Sequence, residues 1–257
     1  LLIIGCLQLN AQDINDGIKL IKNERYTDAV KYFLSVSESG KKAEAYFYLG
    51  EIYFIKESYD SSKIFYKKGI ETDDENALNY AGLSKINLTE NEPEETEKNQ
   101  AIAIETGDEQ IPEVYLILAD GYSKINKFDI AIDLVNKALK INPNFLQAFI
   151  YLGNLYLSKN DGTEAIKNFE KALDIDNNNA EALTNKAKVY KLISNFSQAR
   201  ILLDEAIKSN PEYSPAYKEL AELYYSEKNY AESARYYSEY INASEKTNEK
   251  IKRFASI

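Results

Sequence analysis

The feature that most constrains this sequence is a 34-residue stretch, residues 146–179, whose arrangement of apolar and small residues returns along most of the chain. The first half of the stretch, 149–156, has the pattern F-x2-L-G-x2-Y, and the second half, 165–172, has the pattern A-x3-F-x2-A. Apolar residues three and four positions apart lie on one face of an α-helix, so each half predicts an amphipathic helix. A period of this length is typical of stacked helical repeats.

The period divides the chain into seven copies and the beginning of an eighth, near residues 10–42, 43–76, 77–111, 112–145, 146–179, 180–213, 214–247 and 248–257. The two helices of one copy cannot bury their apolar faces alone, so neighbouring copies must stack to form a core. Phe169 is predicted to lie in that core, and the small Gly50 and Gly153 are predicted to let paired helices approach closely. The third copy departs most from the pattern, because Asn87 and Gln100 occupy aromatic positions. We expect it to pack least well and to open locally.

The pattern resembles that of the tetratricopeptide repeat (TPR) family, W-x2-L-G-x2-Y followed by A-x3-F, with Phe in the Trp position of the 146–179 copy. The resemblance covers approximately residues 10–257. It implies an all-α fold, a right-handed TPR superhelix (α-solenoid) of about seven helix-turn-helix repeats plus a truncated eighth. In that family the first helices of the repeats line a concave groove that binds peptides or partner proteins. The groove positions that the resemblance implies are occupied here by Phe47, Glu51, Phe54, Leu116, Asp120, Ile150, Asn154, Leu157, Thr184, Asn185, Lys188, Lys191, Lys218, Glu222 and Tyr225.

Two of these groove residues match a known specificity of the family. Asn154 and Asn185 correspond to two asparagines of the clamp with which some TPR proteins grip the dicarboxylate end of a chaperone tail. The cationic positions of that clamp hold Ile150, Pro215 and Glu219 in this chain, so we reject the specificity. The two asparagines either hydrogen-bond the backbone of another ligand or are ordinary solvated residues.

The net charge of −10 comes from one acidic window, residues 71–110, which holds twelve Asp and Glu residues against two Lys residues. Nucleic-acid binding requires clustered Lys and Arg, so we do not expect a nucleic acid as partner. The window is either a solvated face or a docking patch for a basic partner.

Catalytic and metal chemistry have little support in the sequence. The chain has no His and a single cysteine, Cys6, so it lacks the commonest general base and the ligands of zinc clusters. Asp174, Asp176 and Asn178 are spaced like the first ligands of a calcium loop, but Asn179 and Asn185 replace its Gly and its bidentate Glu. We interpret this segment as a turn between repeats, and we predict a non-enzymatic protein without cofactor or metal.

The N-terminal residues 1–9 are apolar except for Gln8 and are too short to span a bilayer. Followed by the segment 10–12, they resemble the end of a secretory signal peptide, and we prefer cleavage after Ala11, which assigns 1–11 to a signal-peptide remnant and 12–257 to the TPR array. A second interpretation is a lipobox at 3–6 with a lipid anchor on Cys6, and a third is a buried apolar helix. The absence of Met leads us to expect a fragment of a longer protein.

These observations predict a non-enzymatic scaffold that binds a peptide or partner protein in the concave groove. A chain rich in Asn, Lys, Ile and Tyr behind such a processing site resembles exported TPR proteins of the Bacteroidetes, so we expect a periplasmic or outer-membrane-associated location in the bacterial envelope. Two alternatives remain. The array is the periplasmic sensor part of a larger signalling or enzymatic protein, or it belongs to an envelope assembly factor with a C-terminal anchoring domain.

Overall fold

The structure is a computed structural model that describes residues 14–38, 40–107 and 110–244. Within these residues the chain forms fourteen α-helices and no β-strand. In chain order the helices are α1 (Ile14–Lys22), α2 (Tyr26–Ser37), α3 (Lys42–Ile55), α4 (Tyr59–Thr72), α5 (Ala77–Thr89), α6 (Pro93–Thr106), α7 (Pro112–Lys124), α8 (Phe128–Ile141), α9 (Leu146–Ser158), α10 (Gly162–Ile175), α11 (Ala180–Leu192), α12 (Phe196–Ser209), α13 (Ser214–Ser226) and α14 (Tyr230–Ala243). The predicted signal-peptide remnant 1–11 and the predicted eighth copy 248–257 lie outside the described residues.

Consecutive helices form seven pairs, α1–α2 to α13–α14, each joined by a three-residue turn. The middle residue of every such turn has a left-handed backbone with φ near 60°, and none of the seven is glycine: Glu24, Glu57, Asn91, Asn126, Asn160, Ser194 and Lys228. The next N–H in each turn closes it by donating to a carbonyl in the last turn of the helix, as Asn229 donates to Tyr224 at 2.9 Å. This bond partly offsets the steric cost of the left-handed residue.

The odd-numbered helices form an inner layer. α5 contacts both α3 and α7, and α11 contacts both α9 and α13. The even-numbered helices make their main contacts with odd-numbered helices, so they form an outer layer. This two-layer stack of helix pairs is the all-α TPR solenoid that the sequence predicts.

The small and aromatic positions of the repeat meet where the two helices of a pair cross. A Cβ atom on Gly50 would lie 2.3 Å from Cε1 of Tyr66, and one on Gly153 would lie 2.3 Å from Cε1 of Phe169. Tyr66 and Phe169 are fully buried. The predicted core position of Phe169 and the predicted role of the glycines are therefore confirmed.

The third pair, which the sequence predicts to pack least well and to open locally, has a well-buried first helix and a sparsely buried second one, and its opening stays a prediction. Nine residues of α5 are buried, among them the polar Ser84 and Asn87. These polar groups are satisfied within the pair, because Ser84 Oγ donates to the Thr96 carbonyl at 3.1 Å and Asn99 Nδ2 donates to Asn87 Oδ1 at 3.1 Å. α6 buries only three residues and has little contact with α7, and it carries four exposed acidic residues of the window, Glu94, Glu95, Glu97 and Glu105.

Asp174 lies in the last turn of α10, and residues 176–179 form a turn of the kind that joins other pairs. Asp176 Oδ1 accepts from the N–H of Asn178 at 3.2 Å, and Asn142 Oδ1 accepts in the same way from the N–H of Asn144 at 3.1 Å. The Asp176 carboxylate therefore serves the turn, as predicted. Among the described helices, none has the length and apolar character needed to cross a membrane.

Candidate binding site on the inner layer

All fifteen predicted groove residues lie on inner-layer helices, but they differ in how much of their surface reaches solvent. Nine are half-buried: Glu51, Leu116, Asp120, Asn154, Leu157, Lys188, Lys191, Lys218 and Glu222. Tyr225 is 61% exposed. Five are buried against neighbouring helices, namely Phe47, Phe54, Ile150, Thr184 and Asn185. The first ten are the residues whose side chains have surface available to a ligand in this conformation.

Lys85 of α5 lies at the centre of the N-terminal part of the inner layer and is only 1% exposed. Its Nζ atom is 2.8 and 2.9 Å from the two carboxylate oxygens of Glu51 and 3.2 Å from Oδ2 of Asp120. The same ammonium group lies 4.0 Å from the ring centroid of Phe54, which adds a cation–π contact. A buried cation is tolerated here because both carboxylates and the ring face it.

Two tyrosines extend this cluster into four repeats. The Tyr66 hydroxyl donates to Glu51 Oε1 at 2.5 Å, and the Tyr151 hydroxyl donates to Asp120 Oδ1 at 3.0 Å. We call the five residues Glu51, Tyr66, Lys85, Asp120 and Tyr151 the N-terminal network. Burial by itself lowers the pKa of Lys85, but the attraction of Glu51 and Asp120 outweighs it and raises the pKa.

Lys85 is absent from the groove residues predicted from the sequence, although its position in the repeat could have identified it. Lys85 follows Glu51 by 34 residues and precedes Asp120 by 35, so the three occupy one position of three successive repeats. Residues at equivalent positions of stacked repeats are neighbours, and the alternation of charge along that row indicates pairing.

A second cluster occupies the C-terminal part of the inner layer, where it joins α11 to α13. The Nζ atom of Lys191 is 2.5 Å from Glu219 and 2.8 Å from Glu222. Lys188 Nζ lies 3.7 Å from Glu219 and donates to Asn185 Oδ1 at 3.1 Å. We call these five residues the C-terminal network. Burial lowers the pKa of Lys191, yet the two carboxylates raise it overall, so this cation too is already engaged.

Between the two networks, α9 presents Asn154 with its side-chain amide unpaired within the described residues, since the Ser158 hydroxyl donates to its backbone carbonyl and no hydrogen bond there involves the amide. Leu157, one turn further along α9, is half-buried. The neighbouring Thr184 of α11 is fully buried, and its hydroxyl oxygen also has no partner in the described part of the chain. The middle of the inner layer therefore offers the free amide of Asn154 and the apolar surface of Leu157, whereas the charged groups of the two networks on either side bind each other.

The comparisons with known proteins agree with this architecture. The family described as "Tetratricopeptide repeat" matches residues 17–77 and 185–247, and the family described as "Tetratricopeptide repeat protein 21 C-terminal ARM domain" matches residues 95–192. Tetratricopeptide repeat protein 37 of Xenopus laevis is 25% identical over 207 residues, which are 77% of this chain and 13% of that protein. This chain therefore spans a small part of that relative's length.

Two solved structures share the fold. Yeast Tom70 superposes with a TM-score of 0.69 at 20% identity, covering 94% of this chain and 52% of that one. A tetratricopeptide repeat protein from Parabacteroides merdae superposes with a TM-score of 0.61 at 11% identity, covering 95% of this chain and 96% of that one. The recurring glycine–aromatic crossings, the two-layer stack and these matches lead to one conclusion: the chain belongs to the tetratricopeptide repeat family.

Proposed function

We propose that this chain is a non-enzymatic scaffold that binds a peptide segment of a partner protein along the inner layer, with α9 and α11 at the centre of the site. The observation that carries the proposal is the unpaired amide of Asn154 between two networks whose charged groups already pair with each other. An Asn amide offers both a donor and an acceptor, which are the groups needed to pair with the backbone of an extended peptide.

The two networks favour a particular mode of recognition. Glu51, Asp120, Glu219 and Glu222 each have a lysine partner on the inner layer, so a charged ligand group would have to compete with an existing ion pair. Backbone hydrogen bonds to Asn154, together with apolar contact at Leu157 and Tyr225, involve no such competition. We therefore expect ligands to be selected by backbone conformation and apolar side chains more than by net charge.

The test uses peptides selected against the protein from a random peptide library. For such a peptide we expect Asn154→Ala to weaken binding about tenfold, because the loss of one or two hydrogen bonds costs about 1.4 kcal/mol. Asn136→Ala is the matched control, since Asn136 is an exposed asparagine on the outer helix α8. Equal affinity of both variants and the unchanged protein, measured by titration calorimetry, would show that the Asn154 amide does not bind the peptide and would overturn the proposed site.

We propose in addition that the protein is exported to the bacterial envelope. This rests on the apolar residues 1–9 and on Ala11 behind them. A mature protein that begins at Gln12 supports cleavage after Ala11. Incorporation of labelled palmitate that disappears on Cys6→Ala would overturn that cleavage and establish a lipid anchor. The sensor and assembly-factor alternatives both retain the inner layer as a binding surface and differ in the sequence attached to it.

A further inference from the structure

The first repeat touches the sixth and seventh repeats, so the array closes on itself. Ser214 Oγ, in the first turn of α13, donates to the carbonyl of Asn23 at 2.8 Å across 191 residues of sequence. The Tyr240 hydroxyl, near the end of α14, donates to Glu24 Oε2 at 2.6 Å across 216 residues. Both acceptors lie in the α1–α2 turn, which is therefore seated against the α13–α14 pair.

Two ion pairs flank these hydrogen bonds. Lys22 Nζ is 3.1 Å from Glu181 of α11, and Lys19 Nζ is 3.2 Å from Glu212 in the turn before α13. We call this contact the seam; its two sides are Lys19, Lys22, Asn23 and Glu24, and Glu181, Glu212, Ser214 and Tyr240. Asn23 is 1% exposed and Ser214 is fully buried, so the seam is a formed contact and not a loose approach.

The seam lacks the apolar core that joins successive repeats. In the described part of the chain, the apolar cluster around Phe33 contains residues of the first two repeats, whereas the cluster around Leu220 contains none of them. The Oδ1 atom of Asn23 is buried without a hydrogen-bond partner, and the Lys22–Glu181 pair lacks hydrogen-bond geometry. A cavity of about 210 Å³ is lined by Lys22, Asn23 and Glu181. The seam is thus a polar joint with imperfect packing.

We propose that the seam is a salt-sensitive latch that closes the superhelix around its inner layer and opens to let a partner enter from the side. The repeats on either side have their own apolar cores, so the seam can separate without unfolding them. Salt screens partly exposed ion pairs, and raising it from about 0.01 M to about 1 M shortens the Debye length from about 30 Å to about 3 Å. The entry of a partner through the open seam rests on the proposed function, whereas the opening of the seam itself does not.

Opening is measured without any ligand. Dyes for energy transfer are placed at Lys31→Cys on α2 and Glu205→Cys on α12, both exposed, in a Cys6→Ser background. We expect transfer to fall as salt rises. We expect Glu181→Lys to give low transfer already at low salt. Adding Lys22→Glu to Glu181→Lys should restore the high transfer. A control pair at Asp174→Cys and Glu205→Cys spans directly stacked repeats and stays constant. Transfer that responds neither to salt nor to Glu181→Lys overturns the latch, as does an equal change in the control pair.

Gating is measured separately, with a library peptide that binds the inner layer as the probe. A zero-length carbodiimide couples lysine amines to carboxylates in contact, and mass spectrometry identifies the Lys22–Glu181 link. We expect the linked protein to bind the peptide at least tenfold more slowly than the identically treated Lys19→Arg/Lys22→Arg variant, which keeps the charges and the other links but cannot be linked across the seam. Equal association rates overturn the gating role. Failure to obtain any inner-layer peptide counts against the proposed function alone, because the energy-transfer result does not depend on it.

Discussion

At the scale of single residues, Lys85 is the side chain whose loss we expect to destabilise the inner layer most. Lys85→Met keeps the length of the side chain but leaves Glu51 and Asp120 facing each other without a cation. Removing one partner of a buried pair typically costs 3–5 kcal/mol, and the remaining exposure of the two carboxylates reduces this to about 2–4 kcal/mol. Urea unfolding followed by circular dichroism measures the loss.

The matched control is Lys63→Met. Lys63 also has two carboxylate partners, Glu90 at 2.8 Å and Glu92 at 3.5 Å, but its side chain is 27% exposed whereas that of Lys85 is fully buried. Exposed pairs contribute at most about 1 kcal/mol, so this variant should remain close to the unchanged protein. Adding Glu51→Gln to Lys85→Met should recover part of the stability by removing an unpaired charge. Equal losses in the two lysine variants would mean that the N-terminal network is not a structural centre.

At the scale of helices and turns, the sequence was sufficient to predict the architecture. In most copies the 34-residue repeat and the helical spacing of the apolar residues assign the same positions to the core. The 34-residue spacing predicts helix pairs, and the crossings of Gly50 with Tyr66 and Gly153 with Phe169 follow from the small and aromatic positions. The left-handed residues of the turns could not be located in the sequence by searching for glycine. Glu57 and Lys228 adopt this conformation because the paired helices constrain the turn.

The position of a residue in the repeat also did not predict how deeply the inner-layer side chains are buried. Register assigns Phe47 and Ile150 to the inner face, but inner helices approach closely enough to bury both. The same approach, with α5 held between α3 and α7, buries Lys85, although a helical lysine in a single sequence is ordinarily expected at the surface. Register fixes the face on which a residue lies, and the spacing between neighbouring helices decides its exposure.

At the scale of the whole molecule, curvature accumulates over successive repeats and brings together residues that no local pattern connects. The seam joins Asn23 to Ser214 and Glu24 to Tyr240 for this reason. The seam is stabilised by hydrogen bonds and ion pairs, whereas the contacts between neighbouring repeats are stabilised by apolar burial. The described part of the array is therefore held by strong local contacts along the chain and by a weaker polar contact between its first repeat and its sixth and seventh repeats.

We expect tyrosines that lie buried or half-buried along the array to set a common alkaline limit to its stability. Burial, followed by Glu51, Glu113 and Glu44, raises the pKa of Tyr48 to about 12, and burial is also the main cause that raises the pKa of Tyr66 and Tyr151. Tyr213 and Tyr240 at the other end of the array are shifted in the same direction, again mainly by burial. An unfolded tyrosine has a pKa of about 10, so above this pH the unfolded chain releases protons that the folded chain retains.

The stability that depends on these tyrosines is thus fully present below about pH 10 and declines as the pH rises towards their folded pKa values. We expect tyrosinate absorbance and the loss of helical circular dichroism to rise together in a cooperative transition above that pH, because ionisation requires the buried rings to reach water. Tyr48→Phe removes one such group and should move the midpoint to higher pH. Tyr225→Phe, at an exposed position, should leave it unchanged. Complete tyrosine ionisation near pH 10 with the helical signal intact would show that the buried hydroxyls do not couple to folding.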